Sequence, residues 1–237
     1  MQVTLAARMI GAAAFAAMMA LAGCDTAATA NGANFAEAGA PQVQTVPDMR
    51  WGQRSGSQEW TSAALAALEA EGVTLLSTVP SDVRSFCPEH AALDRETRKH
   101  FWVGLLSSVA KHESSYNPGA QGGGGRYLGL MQISPATARR YGCDGTMLDG
   151  ASNMACAVRI AARNVSRDQA IASGQGSGWR GIARDWLPLR SSSKRADIAG
   201  WTSQQSYCAQ TAKATRPVSA RPVSARQASA APAGGRS

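Results

Sequence analysis

Glu113 stands between His112 and the run "SSYNP", and the pair His112-Glu113 opens the H-E-x-x-H pattern of zinc-protease helices. That pattern needs a second imidazole one helical turn later, so that two ring nitrogens meet one metal. Tyr116 occupies that place. The other histidines, His90 and His100, do not restore a ligand set: His100 and His112 are twelve residues apart, about three turns of a helix. The sequence therefore implies no metal and no cofactor. What remains is a lone carboxyl, which can serve as a general acid if it keeps its proton near neutral pH. Two features predict that it does. Leu105, Leu106 and Val109 give the preceding helix an apolar face, and burial disfavours a carboxylate. Pro118 restricts Asn117 to extended backbone, so the helix ends just after Glu113 and sets its negative dipole end beside the carboxyl. The competing assignment is a surface glutamate paired with Lys111 or Arg126.

The elements that must position Glu113 read as helices. "SAALAALEAEG" places Leu65 and Leu68 three apart and stops near Gly72. Asp94 is the expected N-cap of a long helix over "DRETRKHFWVGLLSSVAKHE". Ser134 caps "SPATARRYG", with Pro135 at the first helical position and Gly142 as the stop. Met154, Val158, Ala161 and Val165 share one face of the next helix, and Ile198, Trp201 and Gln205 one face of the last. Strand signals are nearly absent. The fold class is mainly α. The loop "GAQGGGGRY" lacks the Gly-Lys-Ser/Thr of a phosphate cradle and reads as a flexible cleft loop, with Tyr127 at its end within reach of the cleft.

The chain divides into four parts. Residues 1–23 carry Arg8 and an apolar run, Met9 to Leu21, too short to span a bilayer and matching the core of a signal peptide. The run ends in "LAGC", which resembles a lipoprotein lipobox and implies cleavage before Cys24 and acylation of Cys24. Residues 24–57 read as a flexible tether, 58–208 as the folded domain, and 209–237, with "RPVSARPVSAR", as a disordered basic tail. Of five cysteines, four remain after lipidation: Cys87, Cys143, Cys156 and Cys208. An even number in an exported chain suggests two disulfides. Three pairings are possible; Cys143–Cys156, a short loop, and Cys87–Cys208, tying the ends of the folded region, are favoured. The net charge of +8 favours anionic partners. For an exported protein these are cell-wall polymer and anionic lipid, not nucleic acid.

"ESSYNP" followed by "GLMQISP" resembles the soluble lytic transglycosylase family, whose fold is similar to goose-type lysozyme. The family's E-S-x-x-N-P is present as Glu113, Ser114, Asn117 and Pro118. Its G-L-M-Q-x-x-P is present as Gly129, Leu130, Met131, Gln132 and Pro135. The resemblance covers about Asp94 to Cys208. It implies cleavage of peptidoglycan between N-acetylmuramic acid and N-acetylglucosamine, with 1,6-anhydro ends formed and Glu113 as acid and then base. It also implies that Ser114 orients the sugar or Glu113, and that Met131 and Gln132 line the cleft.

One departure stands out. The family's A-Y-N motif, whose Tyr bonds the catalytic Glu, is missing; "GIARDWLPLR", Gly181 to Arg190, stands at that distance. Trp186 offers a stacking face for sugar, and Asp185 a second carboxylate that would make the enzyme an inverting muramidase. A non-catalytic glycan-binding lipoprotein is the reading from another class, and core packing of Trp186 the plain one. The expected setting is a monomer in the periplasm, bound to glycan strands and anchored through Cys24 to the outer membrane, with the inner membrane as the alternative. Cys24→Ala is expected to abolish acylation and move the protein out of the lipidated membrane fraction, as read by mass spectrometry of that fraction.

Overall fold

A computed structural model describes residues 47–176 and 178–208. The expected signal segment, Cys24, most of the tether and the basic tail lie outside the described residues. Among the described residues there are six α-helices: α1 Ser57–Ala70, α2 Val73–Ser77, α3 Arg95–Ser114, α4 Pro135–Tyr141, α5 Gly150–Asp168 and α6 Ser192–Ser203. Short 3-10 turns link several of them, and β1 Gln121–Gly122 pairs antiparallel with β2 Tyr127–Leu128. The glycine-rich loop is thus a small hairpin, with Gly123, Gly124 and Gly125 all at positive φ around its tip.

α3 and α4 start at the expected caps, and α5 at a cap not singled out from the sequence. Asp94 accepts from the Thr97 N–H at 2.7 Å, Ser134 from Thr137 N–H at 3.0 Å, and Asp149 from Ser152 N–H at 2.8 Å. Pro135 opens α4 and Gly142, left-handed at φ 66°, closes it.

Helix α3 differs from its expected amphipathic form. Every residue from Phe101 to Ala110 is buried, so the helix is covered on all sides instead of presenting one face to the core. α1, α2 and α6 pack around it, and α5 lies along α1. Gly104 is where the last segment comes closest: a Cβ there would sit 1.9 Å from Tyr207 Oη.

The folded region begins before Gln58. Met49 and Trp51 are buried, and Trp51 packs edge-on to Trp60 at 5.7 Å while its indole N–H donates to Thr61 Oγ1. Residues expected to belong to the tether, Met49 and Trp51 among them, are thus part of the packed core. The flanking Gly, Ser and Gln residues hide an indole that supplies its own burial energy, of roughly 1.5–3 kcal/mol for a large apolar side chain. The disulfides are Cys87–Cys208, spanning 121 residues, and Cys143–Cys156, spanning 13. The longer one fastens the chain's last described turn to the segment before α3. A cross-link closing a loop of that length constrains the unfolded chain by about 4–5 kcal/mol.

Two substitutions test the packing of α3. Gly104→Ala is expected to destabilise by about 1–3 kcal/mol, because the added methyl meets a buried phenol. Tyr207 Oη is buried without a protein hydrogen-bond partner, so Tyr207→Phe alone should be neutral or stabilising and should relieve part of the Gly104→Ala loss. Urea unfolding of the two single variants and the double variant reads all three outcomes.

Candidate active site

Glu113 occupies the penultimate position of α3. The helix stops because the next two residues turn left-handed: Ser115 has φ 52° and Tyr116 φ 68°. Two consecutive non-glycine residues in that region are costly and persist only where their surroundings hold them. Here the hold is on Tyr116. Its ring is buried, its hydroxyl donates to the Arg50 carbonyl at 3.1 Å, and the Arg54 guanidinium lies 4.4 Å above it. The N-terminal segment therefore clamps the turn that ends α3.

Burial raises the Glu113 carboxyl from 4.5 to about 7, against a smaller opposing pull from the Lys194 cation. Near neutral pH the group is thus divided between acid and base, and can give a proton or take one. Ser114 is half-buried and its hydroxyl donates back to the Ala110 carbonyl at 3.4 Å, leaving its oxygen free to accept.

The "GLMQ" stretch is a tight loop closed by Leu128 and Ile133, which exchange both backbone hydrogen bonds. Gly129, at φ 74°, fits because a Cβ there would lie 2.0 Å from the Met147 carbonyl oxygen and 2.4 Å from Asn153 Nδ2. Asn153, fully buried on α5, pins the loop: its carbonyl accepts from Met131 N–H at 2.8 Å and its amide donates to the Leu128 and Met147 carbonyls. The Trp186 indole N–H adds a bond to the Met131 carbonyl at 2.8 Å.

This arrangement corrects two expectations. Met131 has no exposed surface and Trp186 is 2% exposed, so neither presents a side chain to a sugar. Both are core residues that fix the loop from below. Trp186 lacks an exposed face because its N–H finds its partner inside, the usual condition for burying an indole.

Gln132, at φ 48°, folds its amide over the loop to donate to the Gly129 and Ala120 carbonyls. The Gly129 N–H also donates to Ala120, so two groups of the "GLMQ" loop meet on that one carbonyl, two residues after Pro118. Tyr127 is exposed and its ring lies against Gly123 on the hairpin. Asp185 is drawn elsewhere: its carboxylate accepts from Asn164 Nδ2 and from the Tyr141 hydroxyl.

Residue motifs alone do not reveal Asn153, Lys194 or Asp197. Asn153 sits in an otherwise apolar helix, which is a signal of a buried polar clamp but names no partner. Lys194 and Asp197 belong to a stretch of mixed charge that reads as a solvated helix face.

The transglycosylase SLT domain family matches residues 91–168, which includes Glu113 and the whole "GLMQ" loop. Bd0314 DslA, in its wild-type form 2, is a solved structure 31% identical over 66% of this chain and 94% of its own, with a TM-score of 0.60. A Glu-to-Gln mutant of the same protein is 30% identical over 69% of this chain and 99% of its own, with a TM-score of 0.63. The chain belongs to the SLT transglycosylase family. A search of curated proteins finds no match. The SLT domain carries with it lytic-transglycosylase-type cleavage of peptidoglycan and binding of that polymer as substrate. The helical lysozyme-like architecture expected of the SLT domain is the one described above.

The raised carboxyl has a consequence for stability. A group whose folded value exceeds its unfolded one stabilises the fold at low pH, and that contribution is lost as pH rises through the folded value. Relative to Glu113→Gln, the wild-type protein should lose up to about 3 kcal/mol between pH 4.5 and pH 8. Paired urea titrations across that range check it; a flat difference would mean that the carboxyl is solvated.

Proposed function

We propose that this SLT transglycosylase cuts the β-1,4 bond between N-acetylmuramic acid and N-acetylglucosamine without consuming water, with Glu113 as the one acid–base group. Protonated Glu113 gives its proton to the glycosidic oxygen as the C1–O bond breaks. The resulting carboxylate takes the proton of the muramyl C6 hydroxyl, whose oxygen bonds to C1 and closes the 1,6-anhydro ring. Glu113 ends as it began, protonated, so the proton count balances with no second protein carboxylate.

The observation that carries this reading is the place of Glu113, half-buried in the last turn of α3 against the core, where desolvation raises its carboxyl to about 7. The muramidase alternative lacks comparable support, since Asp185 is held by Tyr141 and Asn164 instead of being free to activate water. In the proposed complex the Ser114 hydroxyl oxygen, the Gln132 side chain and the Tyr127 ring contact the glycan. Met131 and Trp186 keep the loop rigid beneath them. The setting is the periplasm, where a monomer is held at the outer membrane, or alternatively the inner, by acyl chains on Cys24. The apolar run ending in "LAGC" and the two disulfides support export to an oxidising compartment.

Digestion of purified sacculi followed by mass spectrometry tests the reaction. Anhydro-ended fragments are expected; reducing ends would assign a hydrolase, and retention without release a binding protein. Glu113→Gln should lower release by at least about 100-fold while leaving sacculus binding nearly unchanged. Because the reaction starts from the protonated acid, kcat/KM should fall as pH rises past about 7.

A further inference from the structure

Immediately before Glu113 on α3 are Lys111 and His112, and both reach one acceptor on α6. His112 Nε2 is 2.7 Å from Asp197 Oδ2, and Lys111 Nζ is 3.4 Å from both oxygens. From the N-terminal segment, Arg50 binds the same carboxylate with two nitrogens, each at 2.8 Å. These contacts, with the Arg50 hydrogen bond first and that of His112 after it, hold the Asp197 carboxyl far below the usual carboxylate range. Arg50 is itself fixed: its guanidinium lies 5.7 Å from the Trp201 ring, and its backbone N–H donates to Ser107 on α3. One residue therefore joins three pieces of chain: the last turn of α3, α6 and the segment that clamps Tyr116. Lys194 lies three residues before Asp197 on α6, and its cation acts on Glu113.

We propose that Asp197 is a positioning residue for Glu113, fixing the final turn of α3 in register with α6 and holding Arg50, Lys111 and His112 in a closed pairing. This inference rests on Glu113 as the acid. It assigns to an ion-pair node part of the task that a tyrosine of the absent A-Y-N motif would perform by direct contact. The charged groups around the turn are Lys111 and His112 on α3, Lys194 and Asp197 on α6, and Arg50 and Arg54 on the N-terminal segment. With Asp197 neutralised, Arg50 and Lys111 lose their counter-charge and join Lys194 in favouring the Glu113 carboxylate. With Arg50 neutralised instead, the Asp197 charge is left underpaired and favours protonated Glu113.

The two changes thus have opposite signs, which a merely structural role does not produce. The experiment is a carbon-13 NMR titration of the Glu113 carboxyl in the full chain, assigned by its loss in Glu113→Gln. Asp197→Asn should lower the midpoint by about 0.5 pH or more and Arg50→Gln should raise it, with Asp197→Glu restoring the wild-type value. In sacculus digestion the high-pH limb should move with the midpoint, and kcat should fall more than the inverse of KM. An unchanged midpoint in Asp197→Asn, or movement of both variants in one direction, overturns the proposal. If Asp197→Asn does not fold, Arg50→Gln decides alone, an unmoved or lowered midpoint being the contrary result. The titration needs no turnover, so a chain that releases no glycan would defeat the catalytic assignment without touching this readout.

Discussion

Burial of one carboxyl at the end of a helix is the constraint on which the site depends. An ionised glutamate in that place loses hydration that the protein does not replace, so the proton stays on to about pH 7. The condition can be met only if α3 runs through the middle of the domain and delivers its last turn to the edge of the core. Its ten consecutive buried residues, Phe101 to Ala110, do this. Gly104 permits the close approach of Tyr207, and the Cys87–Cys208 disulfide keeps that segment in place. The scaffold and the chemistry are one arrangement here, because the helix that forms the core also sets the protonation of its terminal acid.

Around that helix end the protein uses two kinds of fastening. On the loop side the fastening is neutral and buried: Asn153 satisfies the Met131 N–H and the Leu128 carbonyl of the "GLMQ" loop as well as the Met147 carbonyl before α5, and Trp186 satisfies the Met131 carbonyl. Such a fully satisfied network is rigid, since loosening any member leaves a buried polar group unpaired. On the α6 side the fastening is ionic and partly exposed, centred on Asp197. Exposed pairs contribute little to stability, but several charges converging on one carboxylate define a register well. The left-handed pair Ser115 and Tyr116 sits between the two fastenings, held by Arg50 and Arg54.

The local chemistry of the site was legible in the residues. Glu113, the motif elements on either side of the hairpin, the caps Asp94 and Ser134 and the Gly142 stop all depend on near neighbours in the chain. Met131 and Trp186 show where such reading fails. Both are apolar residues in the right neighbourhood for a cleft, but whether a large side chain faces ligand or core depends on what packs on it from elsewhere in the chain. The indole of Trp51 gives the same lesson at the domain boundary: a polar, glycine-bearing context reads as tether until Trp60 and Thr61 are brought against it.

The sequence by itself determined the candidate acid, the helical class, the caps that start α3 and α4 and the glycine that stops α4, because each is set by short-range sterics and hydrogen bonding. Only the tertiary structure decided how strongly Glu113 holds its proton, which motif residues are support and which are exposed, and that Asp197 gathers Arg50, Lys111 and His112. Those properties arise from groups as far as 147 positions apart in the chain, as Arg50 and Asp197 are. Desolvation and charge pairing depend on distance in space, and no local pattern of residues encodes that distance.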